Sequence, residues 1–216
     1  MLDEVQTVLV IDDHPLMRKG ILQLIALEDS LRVVGEAGEG RQGLELARRL
    51  QPDLILLDLN MRGLSGLDTL KALKTIDLDS RVIILTVSDS EDDVVAALRA
   101  GADGYLLKDM EPEDVLDSLK AAAQGRMALG KRIAEILADA LRHESQIKPA
   151  DSAKLTERER EILSLIAVGH SNKLIARELK ITEGTVKVHV KHLLRKLDLV
   201  SRVEAAIWAV KSGFRK

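Results

Sequence analysis

The sequence predicts a doubly wound α/β domain followed by a small all-helical domain. Over roughly the first 125 residues, short β-branched apolar runs alternate with amphipathic stretches, as in βα units around a parallel sheet. After a polar stretch that contains a proline, only helical periodicity remains. The formal charge divides at about the same place, with −10 over residues 1–128 and +7 over residues 129–216. We therefore expect an acidic first domain and a second domain that is attracted to polyanions.

Five strands and five helices are expected to alternate in the first domain. The apolar runs that predict strands are Thr7–Ile11, Leu31–Glu36, Leu54–Asp58, Val82–Thr86 and Gly104–Leu107. Stretches with helical spacing, several opened by Ser, Asp or Pro and closed near Gly, are Leu16–Leu27, Arg41–Leu50, Leu67–Ile76, Glu91–Ala100 and Pro112–Gln124. Such domains bind ligands at the carboxyl ends of their strands, so residues just after each strand are the functional candidates.

One more helix and a linker join this domain to the second. Lys131–Arg142 has helical periodicity, and the polar stretch His143–Ser152 follows it. Four short helical segments are expected beyond the linker, at 156–168, 171–179, 183–197 and 201–213. The predicted bounds are 1–127 for the α/β domain, 128–153 for the linker helix and flexible linker, and 154–216 for the helical domain.

The composition excludes several classes of protein. The chain has no cysteine, so disulfides and thiolate metal sites are excluded, which fits a reducing cytosol. No apolar run approaches the roughly 20 residues of a membrane span, and Met1–Glu4 is acidic where a signal peptide is basic. We expect a cytoplasmic protein with an aliphatic core and no membrane partner.

Charged and hydroxyl side chains follow the predicted strands. Asp12 and Asp13 end the first strand, Asp58 the third and Thr86 the fourth, and Lys108 follows the fifth. All five lie at one edge of a parallel sheet, where three carboxylates repel one another unless a cation lies among them, and oxygen ligands favour Mg²⁺. A carboxylate beside Mg²⁺ can attack a phosphoryl donor to form an acyl phosphate, with ammonium and hydroxyl groups binding the phosphoryl oxygens. Each residue alone could be a cap, a strand end or a surface charge, but their joint placement favours this chemistry.

The third helix of the second domain separates an apolar face from a basic one. The residues predicted to face the core are Val186, Val190, Leu193, Leu194 and Leu197, and those predicted to face outward are Lys187, Val188, Lys191, Arg195 and Lys196. An exposed valine among lysines fits a recognition helix in a DNA major groove better than a merely solvated face. Thr156 with Glu159 forms a predicted capping box, and Trp208 is expected in the core or in a dimer contact.

The first domain resembles the receiver domain of bacterial response regulators. The segments that carry the resemblance are Val10–Pro15, Leu56–Met61, Leu85–Ser88 and Gly101–Lys108. It implies a (βα)5 flavodoxin-like fold with Asp58 as the phosphoacceptor, Thr86 and Lys108 as the phosphoryl-binding pair, and Tyr105 as a switch aromatic. It also implies Mg²⁺ ligands, which are Asp12, Asp13, Asp58 and the Asn60 backbone carbonyl. Arg62 stands where the family usually has proline, a departure that removes no chemical group.

The second domain is similar to the LuxR/FixJ-type helix-turn-helix domain. The matching segments are Leu155–Glu159, Asn172–Ala176 and Glu183–His189. As a whole the chain resembles the NarL/FixJ family of two-component response regulators, above all the nitrate/nitrite regulators of the NarL/NarP group. This resemblance implies base contacts by Lys187, Val188 and Lys191 and backbone contacts by Lys173, Thr185 and His189.

The resemblance further implies a transcriptional regulator that is switched by phosphorylation. A sensor histidine kinase, of a NarX/NarQ-like type, would phosphorylate Asp58 and so relieve inhibition by the receiver. A homodimer formed through the last helix, Arg202–Val210, would then bind double-stranded DNA at nitrate/nitrite-responsive genes of anaerobic respiration, with RNA polymerase as a further candidate partner. Such a protein accepts and slowly loses a phosphoryl group, and is not a turnover enzyme.

Other hypotheses remain beside this one. A phosphatase with an aspartate nucleophile needs two acids two residues apart after the first strand, a spacing that Asp12–His14 lacks. The first domain could instead be an interaction module that is never phosphorylated. Gly38–Gly43 matches a dinucleotide-binding pattern, but it follows the second strand and is flanked by Glu36, so we interpret it as a turn and helix entry. His189 and His192 could form a metal pair, which the neighbouring lysines disfavour.

Overall fold

The computed structural model describes residues 5–76, 78–143, 155–199 and 202–212. In the first domain six parallel strands form one sheet in the order β2-β1-β3-β4-β5-β6. The strands are β1 (Gln6–Ile11), β2 (Leu31–Ala37), β3 (Leu54–Leu57), β4 (Arg81–Thr86), β5 (Gly104–Leu107) and β6 (Ala128–Leu129). The direction of winding reverses between β1 and β3, the position at which doubly wound sheets bind their ligands.

Within the described residues, six helices accompany the sheet, and four more form the second domain. Those of the first part are α1 (Pro15–Ile25), α2 (Gly40–Leu50), α3 (Gly66–Thr75), α4 (Glu91–Arg99), α5 (Pro112–Ala123) and α6 (Lys131–His143). Those of the second domain are α7 (Glu157–Ala167), α8 (Asn172–Leu179), α9 (Glu183–Leu197) and α10 (Arg202–Lys211). Among the described residues, no helix has the length and apolar composition needed to cross a membrane.

Helices cover both faces of the sheet and make two separate apolar layers. On one face, α1 and α5 bury Ile25 and Leu119 against the strands. On the other face, α2, α3 and α4 contribute Ala47, Leu70 and Val94 to the core. Because both faces are covered, the central strands are apolar without alternation, as their burial shows.

Most predicted elements of the first domain are confirmed to within two residues. Serine caps explain two of the helix starts, since the hydroxyls of Ser65 and Ser90 accept backbone N–H groups in the first turns of α3 and α4. The end of α1 was placed two residues too late, since the helix stops at Ile25 and Leu27 is 79% exposed. Asp58 was predicted to end the third strand but lies one residue beyond β3.

The sheet extends beyond the five predicted strands. β6 has only two residues, too few for a periodic pattern, and pairs in parallel with β5. The helix that follows it, α6, buries Ile133 in the core of the sheet domain. Thus the beginning of the segment predicted as a linker packs as part of the first domain.

The second domain is a helix-turn-helix unit built on an aliphatic core. α7 begins with the predicted capping box between Thr156 and Glu159. A left-handed residue, Lys180 with φ +53°, makes the turn between α8 and α9. Trp208 of α10 is buried in this core, so of the two predicted locations, the core and a dimer contact, the first is confirmed. Of the predicted linker, residues 144–152 lie outside the described residues, as do positions 201 and 213 of the last predicted segment.

The tight approach of α3 to β3 gives a test of the fold. A methyl group at Gly66 would lie 2.0 Å from the backbone oxygen of Asp58, whereas one at Gly20 on α1 would meet nothing within 4 Å. We expect Gly66→Ala to destabilise the first domain by about 2 kcal/mol. The added methyl group would overlap backbone atoms, which cannot move aside as a flexible side chain can. Gly20→Ala should stabilise it by about 0.5–1 kcal/mol through helix propensity. Urea unfolding followed by the emission of the only tyrosine, Tyr105, measures both changes, and equal effects of the two variants would contradict this packing.

Candidate functional site

Three carboxylates meet where β1 and β3 end. Ile11 and Leu57 are paired neighbours in these adjacent strands, so the residues that follow them emerge side by side. Asp12 and Asp58 are each only 2% exposed. Ligand atoms from Asp12, Asp13, Asp58 and His14 all lie within 4.8 Å of one another. The fold thus brings together the three aspartates that the sequence predicted.

A single lysine compensates part of this negative charge. Lys108 follows β5, and its Nζ lies 2.8 Å from Oδ2 of Asp58 and 2.8 Å from Oδ2 of Asp12. Its backbone N–H donates to the carbonyl of Thr86, which holds the Lys108 backbone beside the end of β4. One ammonium faces three carboxylates, so the cluster keeps an excess of negative charge.

The remaining donor atoms fit a hard divalent cation. Oδ1 of Asp13 is buried and accepts no hydrogen bond from the described residues, and Nδ1 of His14 lies 2.9 Å from it, so this oxygen keeps a lone pair for a ligand. The donors are carboxylate oxygens, the ligand type that Mg²⁺ prefers. Asn60 lies beside them, with its backbone N–H 3.2 Å from Oδ1 of Asp58.

His14 is a member of this cluster that the sequence reasoning missed. Its Nδ1 lies 2.9 Å from Oδ1 of Asp13, and its backbone N–H donates to Oδ1 of Asp12 at 2.7 Å. Its position directly after two aspartates and before Pro15 was the available signal. The turn into α1 folds the ring back over the acids while leaving it largely exposed.

Thr86 links the acidic cluster to the loop after β4. The residue is fully buried, and its Oγ1 lies 3.4 Å from Nδ2 of Asn60 and 3.4 Å from the backbone nitrogen of Ser88. Tyr105 is also fully buried, and its hydroxyl donates to the Ser88 carbonyl at 2.9 Å. Burial raises the pKa of Tyr105, and the nearby charge of Asp93 raises it further. The phenol therefore stays protonated and ties β5 to this loop.

A cleft of about 850 Å³ reaches the acidic cluster at Asp13 and His14. Asp13, His14 and Arg62 line it, and the backbone N–H of Arg62 donates to Oδ2 of Asp13 at 2.9 Å. The glycine-rich segment 38–43 reaches the same cleft through Gly38 and Gly40, where α2 begins. A small phosphorylated donor can therefore approach from this side.

The basic face of α9 forms the second candidate site. Val186, Leu193 and Leu197 are buried, while Val188 is 53% exposed and Lys191 is exposed. The other predicted contacts lie nearby: Thr185 and Lys173 are exposed, and Lys187 and His189 are half-buried. Thr185 pairs its hydroxyl with that of the N-cap residue Thr182 at 2.8 Å.

Lys196 does not belong to this outward face, so its predicted orientation is wrong. Its Nζ bonds Oε2 of Glu159 at 2.7 Å, and Glu159 is a buried residue of α7. Burial alone would raise the pKa of Glu159, but the bonds from Lys196 and Thr156 outweigh it and hold the pKa below its usual value. Lys196 therefore holds two helices of the domain together.

Comparison with known protein families finds two matching segments in the chain. Residues 8–120 match the response regulator receiver domain, and residues 153–209 match the luxR family of bacterial regulatory proteins. A receiver domain implies a histidine kinase as partner, and a luxR-type domain implies DNA binding.

Whole-length relatives carry the same two domains in the same order. The nitrate/nitrite response regulator protein NarL of Escherichia coli K12 is 56% identical over 205 residues, 95% of each chain. The nitrate/nitrite response regulator protein NarP of the same organism is 50% identical over 200 residues, 93% of this chain and 92% of NarP. The crystal structure of the response regulator ChrA from a heme-sensing two-component system is 34% identical, with a TM-score of 0.54 over 99% of this chain and 100% of ChrA.

These matches cover both domains. They argue against the phosphatase hypothesis, because proteins of this family regulate transcription and do not turn over a substrate. The chain belongs to the two-component response regulators that join a receiver domain to a LuxR-type helix-turn-helix domain.

Proposed function

We propose that a phosphoryl group on Asp58 decides whether the helix-turn-helix domain can bind DNA. The observation that carries this proposal is the placement of Asp58, which is buried at the carboxyl edge of the sheet with the Lys108 ammonium 2.8 Å from its carboxylate. The Lys108 ammonium supplies a nearby positive charge, and a cleft opens beside the acidic cluster. The buried Asp58 carboxylate is therefore suited to nucleophilic attack on phosphorus.

The chemistry is a transfer from phosphohistidine to carboxylate. An oxygen of Asp58 bonds to phosphorus, the bond from phosphorus to the imidazole nitrogen breaks, and the imidazole takes up a proton. Asp12, Asp13, Asp58 and the Asn60 carbonyl would hold Mg²⁺, which neutralises charge on the phosphoryl oxygens when bound. Lys108 and the Thr86 hydroxyl then bind the oxygens of the product.

The hydroxyl of Thr86 has to leave its present neighbours to reach the new phosphoryl group. Ser88 lies 3.4 Å from that hydroxyl and is tied to Tyr105, so movement of Thr86 pulls on the loop that precedes α4. Ser88 also bonds Asp93 in the first turn of α4 at 2.5 Å. The charge on Asp58 is thereby coupled to α4.

Contacts between the domains support inhibition by the receiver. At the amino edge of the sheet, Lys187 of α9 pairs with Asp79 at 2.5 Å. At the end of α4, Arg99 pairs with Glu204 of α10 at 3.4 Å. Arg202 at the start of α10 lies near Asp103 of the receiver, and burial lowers its pKa to about 10 although the charge of Asp103 opposes this. The receiver thus contacts both the recognition helix α9 and the last helix α10. We propose that the homodimer forms through α10.

The signal and the target genes follow from similarity alone. NarL and NarP are both described as nitrate/nitrite response regulators, and this chain is 56% and 50% identical to them. We therefore propose control of nitrate- and nitrite-responsive genes, a NarX/NarQ-like kinase and contact with RNA polymerase at the promoter. A footprint on a nitrate-reductase promoter with and without phosphodonor tests this, and protection that does not depend on the donor would contradict inhibition by the receiver.

Replacing the acceptor should abolish phosphorylation. Asp58→Asn removes the nucleophilic oxygen, so incorporation of label from a small acyl-phosphate donor with Mg²⁺ should fall to background, as should incorporation into the native chain when EDTA removes the metal. Asp53→Asn is a matched control, because Asp53 lies at the other end of β3 and bonds Thr7. Stoichiometric label in the Asp58 variant would show that another residue accepts the phosphoryl group.

Removing an outward lysine of α9 should weaken DNA binding without unfolding the domain. Lys191→Ala should cost about 1 kcal/mol in binding of the phosphorylated chain, roughly fivefold, because an exposed cation in the groove is lost. Lys131→Ala removes the same charge from an exposed position on α6, outside the helix-turn-helix domain, and should leave binding unchanged. Equal losses in the two variants, measured by fluorescence anisotropy, would mean that only the net charge matters.

A further inference from the structure

A carboxylate of the receiver pairs with the recognition helix. Asp79 lies in the connection before β4, and its Oδ1 is 2.5 Å from Nζ of Lys187. Lys187 is in the first half of α9, the part of a recognition helix that reaches base edges and phosphates. Val188 and Lys191 remain exposed on the same face. The receiver therefore engages Lys187, the cation nearest the amino end of the helix, and leaves Lys191 exposed.

A cleft of about 920 Å³ separates the two domains. Glu28 and Lys120 line it on the receiver side and are paired with each other at 3.5 Å, while Lys173, Arg177, Lys180 and Glu183 line it on the other side. Charges of both signs occur on both walls of this cleft, whereas Asp79 forms a direct ion pair with the recognition helix.

We propose that Asp79 is an intramolecular decoy for a DNA phosphate, occupying Lys187 until phosphorylation moves the receiver away. This rests on the proposed function, because it presumes that the receiver leaves α9 when Asp58 is modified. The carboxylate offers Lys187 a charged oxygen at hydrogen-bond distance, as a phosphate does, so DNA and Asp79 compete for one ammonium.

The exposure of the pair suits a contact that must be released. The side chain of Asp79 is 67% exposed and that of Lys187 is 34% exposed. Ion pairs this open to solvent change equilibria by small factors, about two- to fivefold. Such a contact biases the closed arrangement without locking it, so that a modification on the far edge of the sheet can overcome the bias.

Charge removal at Asp79 tests the decoy in the full-length chain. Asp79→Asn should raise the affinity of the unphosphorylated chain for the nitrate-reductase promoter fragment about two- to fivefold, and Asp79→Lys, which repels Lys187, should raise it further. Asp114→Asn and Asp114→Lys, at an exposed position on α5, make the same charge changes elsewhere and should have little effect. After phosphorylation the Asp79 and Asp114 variants should bind alike, because the receiver no longer competes.

A second readout does not require DNA. Acylation of Lys187 by an amine-reactive reagent, followed by mass spectrometry, should be about two- to fivefold faster in Asp79→Asn than in Asp114→Asn. If phosphorylation strengthens DNA binding of the native chain but the Asp79 and Asp114 variants behave alike in both assays, the decoy is wrong and the proposed function stands. If phosphorylation leaves the DNA affinity of the native chain unchanged, the proposed function fails, and the decoy with it.

Discussion

The ammonium of Lys108 is the interaction on which the receiver site depends. It lies 2.8 Å from both Asp12 and Asp58, two carboxylates that are otherwise buried side by side with like charge. Removing one partner of such a group leaves an uncompensated buried charge, which is strongly destabilising. Yet one ammonium cannot balance three acids. The site therefore keeps a net negative charge that favours a divalent cation, and in the proposed function a phosphoryl group on Asp58 would give Lys108 a new partner.

The carboxyl and amino ends of the sheet carry different groups of charged residues. The carboxyl ends carry the acidic cluster, whereas the amino ends carry Asp79, which pairs with Lys187 of the helical domain. α4 connects them, since its first turn bonds Ser88 near Thr86 and its last residue, Arg99, pairs with Glu204. A rigid helix of nine residues can carry a shift from one end to the other, so the signal does not have to pass through the packed centre of the sheet.

The sequence was sufficient to predict strands, helices and the acids after them, because apolar periodicity and strand order are local properties. It was insufficient where tertiary contacts decide. β6 is too short for a pattern, His14 joins the acids only through the turn after β1, and Lys196 turns inward because buried Glu159 needs a partner. The pairing of Asp79 with Lys187 joins residues of different domains, so no local pattern could indicate it.

We expect modification of Asp58 to separate the two domains. Because the chain has no cysteine, spin labels can be placed on introduced cysteines at Asp29 and Lys180, both exposed and beside the cleft between the domains. Double electron–electron resonance should show one short distance in the untreated chain. With acyl phosphate and Mg²⁺ the distribution should become longer and broader, and Asp58→Asn should prevent the change. A distance that stays short in chains shown by mass spectrometry to be phosphorylated would mean that phosphorylation does not separate the domains.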